Sequence, residues 1–479
     1  MLCWKNKDIS ILSIAGIVGL IIWFVPPFGG LTNDGIKLLA VFIPTIILWI
    51  SIGTGWTSFL SLTAITLLQI TTDTGSFGVG WGNSISIMVI PMLVIVNVML
   101  DSGAMEYLTK WILSRRIIHG RPYVFMLMLC VAITLIGTAV YAVIMCCFLL
   151  TFLESICSSI GYTKTDKFYR AVLFLALWIC TIMDGVWPFA RPIPVLIMAY
   201  LSPLGYEISI LRWCAIGVPF AIMSIVVALL IIRFVYRPDV SKFRDYDDTA
   251  IREELKKVPL CLAGKMSITS IVIIVVTWLL AGLEIPVVSD YFNSLGYATV
   301  PYLCMLVMCL VRIDGKPVIK IETALSHVNW TLVLFIGTMI FYAGIVGQEK
   351  YGFTAMIGNF LAPVVELLPY TSIIGIGLFT VCVLTNFMSS TVATTIIITV
   401  FMPLLQAYAD ISYSTVIVFG VMVGCVSNCA YLTHAACPAS GVVLAAMPFS
   451  VSMKYNLIQI IAILLLTIFA FQPIMSNVI

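Results

Sequence analysis

Asp184-Gly185-Val186-Trp187-Pro188-Phe189-Ala190-Arg191-Pro192-Ile193-Pro194 interrupts an apolar run that extends from residue 171 to residue 203. Three prolines in seven residues cannot continue an α-helix, because each lacks the N–H that the ladder needs and its ring collides with the preceding turn. The flanking residues are nonetheless as apolar as a membrane span. A second interruption, Thr433-His434-Ala435-Ala436-Cys437-Pro438-Ala439-Ser440-Gly441, lies inside the apolar run 414–446. Each is preceded by a long apolar block (123–160 and 367–410) and followed by a closing span (211–236 and 452–476). The same order of events therefore occurs twice in the chain.

Working outward, 61% of the 479 residues are hydrophobic and 10% are charged, against roughly 25% charged in soluble domains. This composition specifies an integral membrane protein. The 25 basic and 22 acidic residues nearly cancel, so no concentrated basic face exists for a nucleic acid. The 14 cysteines sit mostly inside apolar runs and form no C-x-x-C pair, which is the behaviour of small hydrophobes. The histidines are His119, His327 and His434, and no H-E-x-x-H pair or intramembrane-protease signature is present, so an enzyme is not expected. Ile9 to Val25 follows Lys5 and Lys7 like a signal peptide, but it runs into Pro26-Pro27-Phe28-Gly29-Gly30 without a small-x-small cleavage site. It reads as a retained first span.

About 20 apolar residues cross a bilayer, which gives spans at 9–25, 36–53, 54–70, 84–114, 171–203, 211–236, 266–285, 298–312, 324–347, 414–446 and 452–476. Blocks 123–160 and 367–410 are too long for one span each. Arg115, Arg116 and Arg121 precede the first block, and Lys164, Lys167 and Arg170 follow it, so both of its ends face the cytoplasm by the positive-inside rule. A segment that enters and leaves on one side is a re-entrant hairpin, with its tip near Gly137-Thr138. The second block, flanked by Glu349, Lys350, Glu366 and Asp410, fits a hairpin from the opposite face, with its tip at Ser389-Ser390-Thr391. Threaded this way, every Lys and Arg is cytoplasmic except Lys37, Arg212, Lys350 and the intramembrane Arg191.

The expected fold is an all-α polytopic membrane protein, an inverted repeat with 11 transmembrane helices and two opposed re-entrant helical hairpins. It would be multi-pass in the cell membrane, with the amino terminus cytoplasmic and the carboxyl terminus extracytoplasmic. Residues 1–122 form the first scaffold helices, and 123–236 the first hairpin, broken helix and closing helix. A cytoplasmic amphipathic linker covers 237–265. The second half repeats the order, with scaffold helices over 266–366 and hairpin, broken helix and closing helix over 367–479.

Inverted repeats with helices broken at mid-membrane are a common transporter design, with the site at the repeat interface. Unwound backbone inside a bilayer must be buried in protein or line a watery cavity. Free N–H groups at half-helix amino ends favour an anion, and free carbonyls at carboxyl ends favour a cation. Arg191 is the strongest signal, since a guanidinium at mid-membrane costs at least about 2.5 kcal/mol. It either stands in for a coupling cation and grasps a substrate carboxylate, or pairs with Asp184 across the break. His434 offers a donor or a pH-sensitive group, or simply packs. Ser389, Ser390 and Thr391 supply hydroxyls to substrate or bond back to their own helix. Thr385 and Asn386, one turn earlier, project oxygen ligands for a cation; Ser427 and Asn428 are weaker candidates.

The run Leu384-Thr385-Asn386-Phe387-Met388-Ser389-Ser390-Thr391-Val392-Ala393-Thr394-Thr395 resembles the Ser-Asn-Thr hairpin tip of the divalent anion:sodium symporter family, within the ion transporter superfamily. Ala435-Ala436-Cys437-Pro438-Ala439 is similar to its Thr-Pro-Pro-Asn loop. The resemblance implies a homodimer in the lipid bilayer that moves small anionic solutes, namely dicarboxylates, tricarboxylates or sulfate, by an elevator motion, with sodium as the coupling ion. Substrate contacts are expected from Thr138, Arg191, Pro192, Ser389, Ser390, Thr391, His434 and Pro438. Cation contacts are expected from Asp184, Thr385, Asn386, Ser389 and Ala435. The first half departs from the pattern: Gly137-Thr138-Ala139-Val140-Tyr141 lacks the triplet, and Ala190-Arg191-Pro192-Ile193-Pro194 replaces the loop. Sodium symport and sodium-independent anion exchange both fit these residues. A cation/proton antiporter titrating Asp184 has no use for Arg191, and a channel has no use for a matched pair of hairpins.

Overall fold

The computed structural model describes all residues except 1–5, 54, 72–74, 83, 115, 139, 189–190, 246–259, 282–284, 286, 314, 329, 347, 354, 357–358, 360–366, 433–435, 445 and 479. The described chain is helical almost throughout. Its strands are the two-residue pieces Arg312–Ile313 and Lys316–Pro317, paired antiparallel.

The first half opens with α1 (Asn6–Trp23), α2 (Asn33–Ser51), α3 (Trp56–Leu67), α4 (Gly75–Trp81), α5 (Ser84–Asp101) and α6 (Ala104–Leu113). It continues with α7 (Pro122–Ile136), α8 (Ala142–Ser159), α9 (Lys167–Val186), α10 (Pro192–Leu201) and α11 (Ile210–Leu230). The second half holds α12 (Leu262–Ala281), α13 (Val288–Leu310), α14 (Ile321–Ser326), α15 (Trp330–Val346), α16 (Tyr370–Thr385) and α17 (Ser390–Gln406). It closes with α18 (Tyr413–Val426), α19 (Pro438–Leu444), α20 (Phe449–Leu466) and α21 (Gln472–Val478). A π-helical turn follows each closing helix, Ile231–Tyr236 after α11 and Thr467–Phe471 after α20. The two halves thus share even this irregularity.

Among the described residues, Lys167–Val186, Ile210–Tyr236, Leu262–Ala281 and Ser450–Val478 are each long and apolar enough to cross a membrane. Two further pairs qualify only as bent units. The expected span 84–114 is bent: α5 and α6 meet at 67°, because Gly103 takes a left-handed φ of 69° and begins α6 in a new direction. The expected span 298–312 extends back to Val288 and bends by 74° at Gly296, where φ is 68°. The expected span 54–70 is helical only over Trp56–Leu67. Of the expected linker 237–265, residues 246–259 lie outside the described residues, and α12 already begins at Leu262.

Helices α9 and α18 form the centre. A helix apolar on every side belongs in a core, and both are buried along nearly their whole length. They cross closely at Gly185, where a Cβ would lie 2.4 Å from the Gly424 carbonyl oxygen and 2.8 Å from Cys425 Cα. Only glycine admits that approach. Helices α7, α8 and α11 pack around α9, while α16, α17 and α21 pack around or beside α18. The paired arms α7 and α8 have 15 and 18 residues, and α16 and α17 have 16 and 17. At 1.5 Å per residue α7 reaches only about 22 Å, short of the roughly 30 Å hydrocarbon thickness.

Elsewhere, α2, α3 and α15 are joined by buried hydroxyls. Thr45 Oγ1 donates to Ser61 Oγ at 2.8 Å, and Ser61 meets the Tyr342 hydroxyl at 2.5 Å; such polar contacts hold helices together where apolar burial gives no preference. At the base of α8 and α9, Lys242 reaches the Gly161 carbonyl at 2.9 Å and Asp166 at 3.3 Å. The Thr163 N–H, aided by Lys242, holds the Asp166 carboxyl below its usual range. Glu154 pairs with Lys164 at 2.6 Å in the same region.

Candidate functional site

Two junctions bring a hairpin tip against a helix break. At the first, α7 ends at Gly137, where a Cβ would press to 3.2 Å from Met183 Cβ, so glycine lets the tip close on α9. The last carbonyls of a helix lack intrahelical donors and carry partial negative charge. Arg191 meets the end of α7 and the tip beyond it: its Nη2 donates to the carbonyls of Gly137, the helix cap, and Val140, in the tip, each at 2.5 Å. Its Nη1 lies 2.9 Å from Asp184 Oδ1, and its guanidinium lies over the Tyr141 ring, 4.5 Å from the centroid. Arg191 is 1% exposed, whereas Asp184 is 23% exposed. The N–H of Ala142, first residue of α8, donates to the same Asp184 oxygen at 3.3 Å. Trp187 donates its indole N–H to the Thr134 carbonyl at 2.9 Å and fixes the break against α7.

The second junction is built from uncharged groups. The Thr385 hydroxyl, at the end of α16, donates to the Ser427 carbonyl at 2.5 Å and lies 2.7 Å from Ser390 Oγ. The Asn386 amide donates to the carbonyls of Cys382 and Cys429 at 2.8 and 3.0 Å, and its oxygen accepts from the Leu432 N–H at 2.9 Å. Both side chains are fully buried.

Between the junctions lies a cavity of about 630 Å³, within the size range of small-molecule sites. Four helix starts line it: Tyr141, Ala142 and Val143 of α8; Pro192 and Ile193 of α10; Ser389, Ser390 and Thr391 of α17; and Ala436 to Ala439 of α19. Thr181 and Asp184 of α9 and Asn428 and Ala430 of the second break complete the wall. Pro192 and Pro438 occupy first-turn positions, where a helix tolerates the missing N–H. Helix amino ends carry partial positive charge and unsatisfied N–H groups, a ready receptor for an anion.

The structure therefore brings Asp184, Pro192, Ser389, Ser390, Thr391 and Pro438 together around one space. Thr385 and Asn386 stand behind the wall rather than in it. Arg191 does too, with Asp184 between it and the cavity. Thr138 also does not line it; its hydroxyl donates back to the Leu135 carbonyl at 2.8 Å. His434 and Ala435 lie outside the described residues. Sequence reasoning missed Thr181 and the start of α8. Thr181 precedes Asp184 by three residues and so shares its helix face, a spacing that could have flagged it.

The family model for citrate transporters matches residues 41–407, well over half of the chain, including the first junction and the second tip. The chain belongs to the citrate transporter family. Membership sets it among transporters and not among enzymes. A curated relative, the sodium-dependent dicarboxylate transporter SdcS of Staphylococcus saprophyticus, is 24% identical over 336 residues, covering 66% of this chain and 62% of that protein. The chain thus spans less than two thirds of that relative's length. The resemblance to divalent anion:sodium symporters, read from the second tip and loop, is borne out by these matches.

Proposed function

We propose that this protein is a secondary active transporter of small organic di- and tricarboxylates. The observation that carries this reading is the convergence of four helix amino ends and the Ser389, Ser390 and Thr391 tip on one cavity. Such a surface recognises carboxylate oxygens through N–H and hydroxyl donors, with no need for many charged side chains. Asp184 already holds the Ala142 N–H and Arg191, so it stands where an internal anion would, poised to turn as substrate enters. A proton antiporter would need that carboxyl free to titrate, and its ion pair argues against that reading.

The short arms α7, α8, α16 and α17 serve as two re-entrant hairpins from opposite faces, within the arrangement of 11 spans that the sequence suggests. The amino terminus then faces the cytoplasm and the carboxyl terminus the outside. The hairpins, breaks and closing helices of both halves move as one unit against the scaffold helices, in an elevator motion within a homodimer. A coupling cation, sodium by likeness to the relative, would be held at the second junction by the oxygens around Thr385 and Asn386; Ser389 and Ala435 are the further ligands that the sequence suggests. Sulfate is the inorganic alternative that the same donors would accept.

Uptake of radiolabelled citrate, succinate, malate, 2-oxoglutarate and sulfate into proteoliposomes, with and without sodium, tests the reading. Saturable uptake or counterflow of an organic anion is the expected result. Transport of none of them, or channel-like currents instead, would overturn it.

A further inference from the structure

We propose that the Arg191 guanidinium is the permanent occupant of the first half's cation site, so that the protein binds no more than one mobile coupling cation, at the second junction. This rests on the transporter reading for its meaning in flux, but not for its test.

The two junctions share the same order of elements, with the second break longer than the first. Gly137 caps α7 where Asn386 caps α16. Ala142 begins α8 where Ser390 begins α17. Trp187 ends α9 where Ser427 ends α18, and Arg191 precedes Pro192 as Cys437 precedes Pro438. At the second junction the helix-end oxygens, including the Ser427 and Cys429 carbonyls and the Thr385 hydroxyl, bring no charge of their own. At the first, the tip carbonyls of Gly137 and Val140 converge with the Asp184 carboxylate on Arg191. Two carbonyls and a carboxylate are the oxygen set that a hard cation takes.

Here that set is filled by a side chain. The guanidinium is wholly buried, donates to both carbonyls and touches the carboxylate. Its fork geometry suits this task as a lysine's would not. A second positive ion placed among the same oxygens would meet unscreened like-charge repulsion. Arg191 thus acts as a positioning residue: it locks the first tip to its break and supplies the charge that a mobile ion would otherwise bring. Cys437, which precedes Pro438, brings no charge, and the described groups of the second junction are neutral, so a positive charge there has to come from a mobile ion. Fewer coupled cations means that the anion's charge is less fully compensated during transport.

Radioactive sodium binding to the purified, detergent-solubilised protein counts the sites without requiring transport. At saturation the wild type should bind no more than one sodium per chain, and two would overturn the proposal. The Arg191→Ala variant, which leaves Asp184 and both carbonyls without their cation, should bind one sodium more than the wild type. An unchanged count in a folded Arg191→Ala protein would also overturn it. Arg191→Lys, which keeps a charge in place, should show the wild-type count, and a gain there would contradict the fixed-charge account. If Arg191→Ala is not recovered, the wild-type count alone decides. Failure of anion uptake with a count of one would sink the transport reading and leave this inference standing; uptake with two bound sodium ions would do the reverse.

Discussion

At the first junction Arg191, behind the cavity wall, meets Asp184 of the wall at 2.9 Å, whereas at the second Thr385 and Asn386 tie the tip to the break through hydroxyl and amide groups. Both solve one problem, the unsatisfied carbonyls where a half-helix ends inside the protein. They differ in what happens when a group is removed. Breaking a buried ion pair from one side strands a charge, typically at about 3–5 kcal/mol. Deleting one neutral hydrogen-bonding group costs about 1–3 kcal/mol when its partner stays buried. The first junction is therefore costlier to break from one side than the second.

The largest expected effect is on the charged side. Arg191→Ala should destabilise the protein by about 3–5 kcal/mol and abolish carboxylate uptake at equal expression, read by thermal unfolding in detergent together with flux. If uptake survives at the wild-type level, the first junction does not depend on charge. Gly185→Ala comes next, because its Cβ would sit 2.4 Å from a backbone oxygen of α18. Overpacking of this kind costs about 1–3 kcal/mol. A lowered melting temperature and reduced yield should follow, while an unaltered protein would mean that the two central helices are not held so closely.

Thr385→Val sharpens the contrast from the neutral side. It should cost about 1–3 kcal/mol and weaken the sodium dependence of uptake more than the affinity for the anion. A rise in KM for the anion with unchanged sodium dependence would move Thr385 from the cation side to the substrate side. Trp187→Phe is the mildest change. It removes the indole bond to Thr134 at about 0.5–1.5 kcal/mol, and calorimetry should detect a small loss of stability with transport retained.

Much of this architecture was legible because proline and hydroxyl residues are unambiguous within apolar runs. Pro188, Pro192 and Pro438 marked both breaks, and Ser389-Ser390-Thr391 marked the second tip that lines the cavity. The bend at Gly103 was not legible, since one glycine within an apolar stretch is compatible with a straight helix. The direction in which Arg191 points was not legible either. Its sequence position allows the guanidinium to face substrate or the tip, and the choice is made by the Gly137 and Val140 carbonyls, which only the folded chain brings within reach. Thr385 and Asn386 posed the same problem, because the side of a helix end that faces the cavity depends on which helix packs behind it. Here the packing of α16 against α18 turns both side chains toward the second break.

The decisive measurement is an electron cryo-microscopy map of the protein in lipid nanodiscs with saturating citrate or succinate. Density for the anion is expected among the starts of α8, α17 and α19, within hydrogen-bonding distance of Ser390 or Thr391, with Arg191 still held by the Gly137 and Val140 carbonyls. Anion density at another place in the protein, with the cavity between the two tips unfilled, would contradict the account.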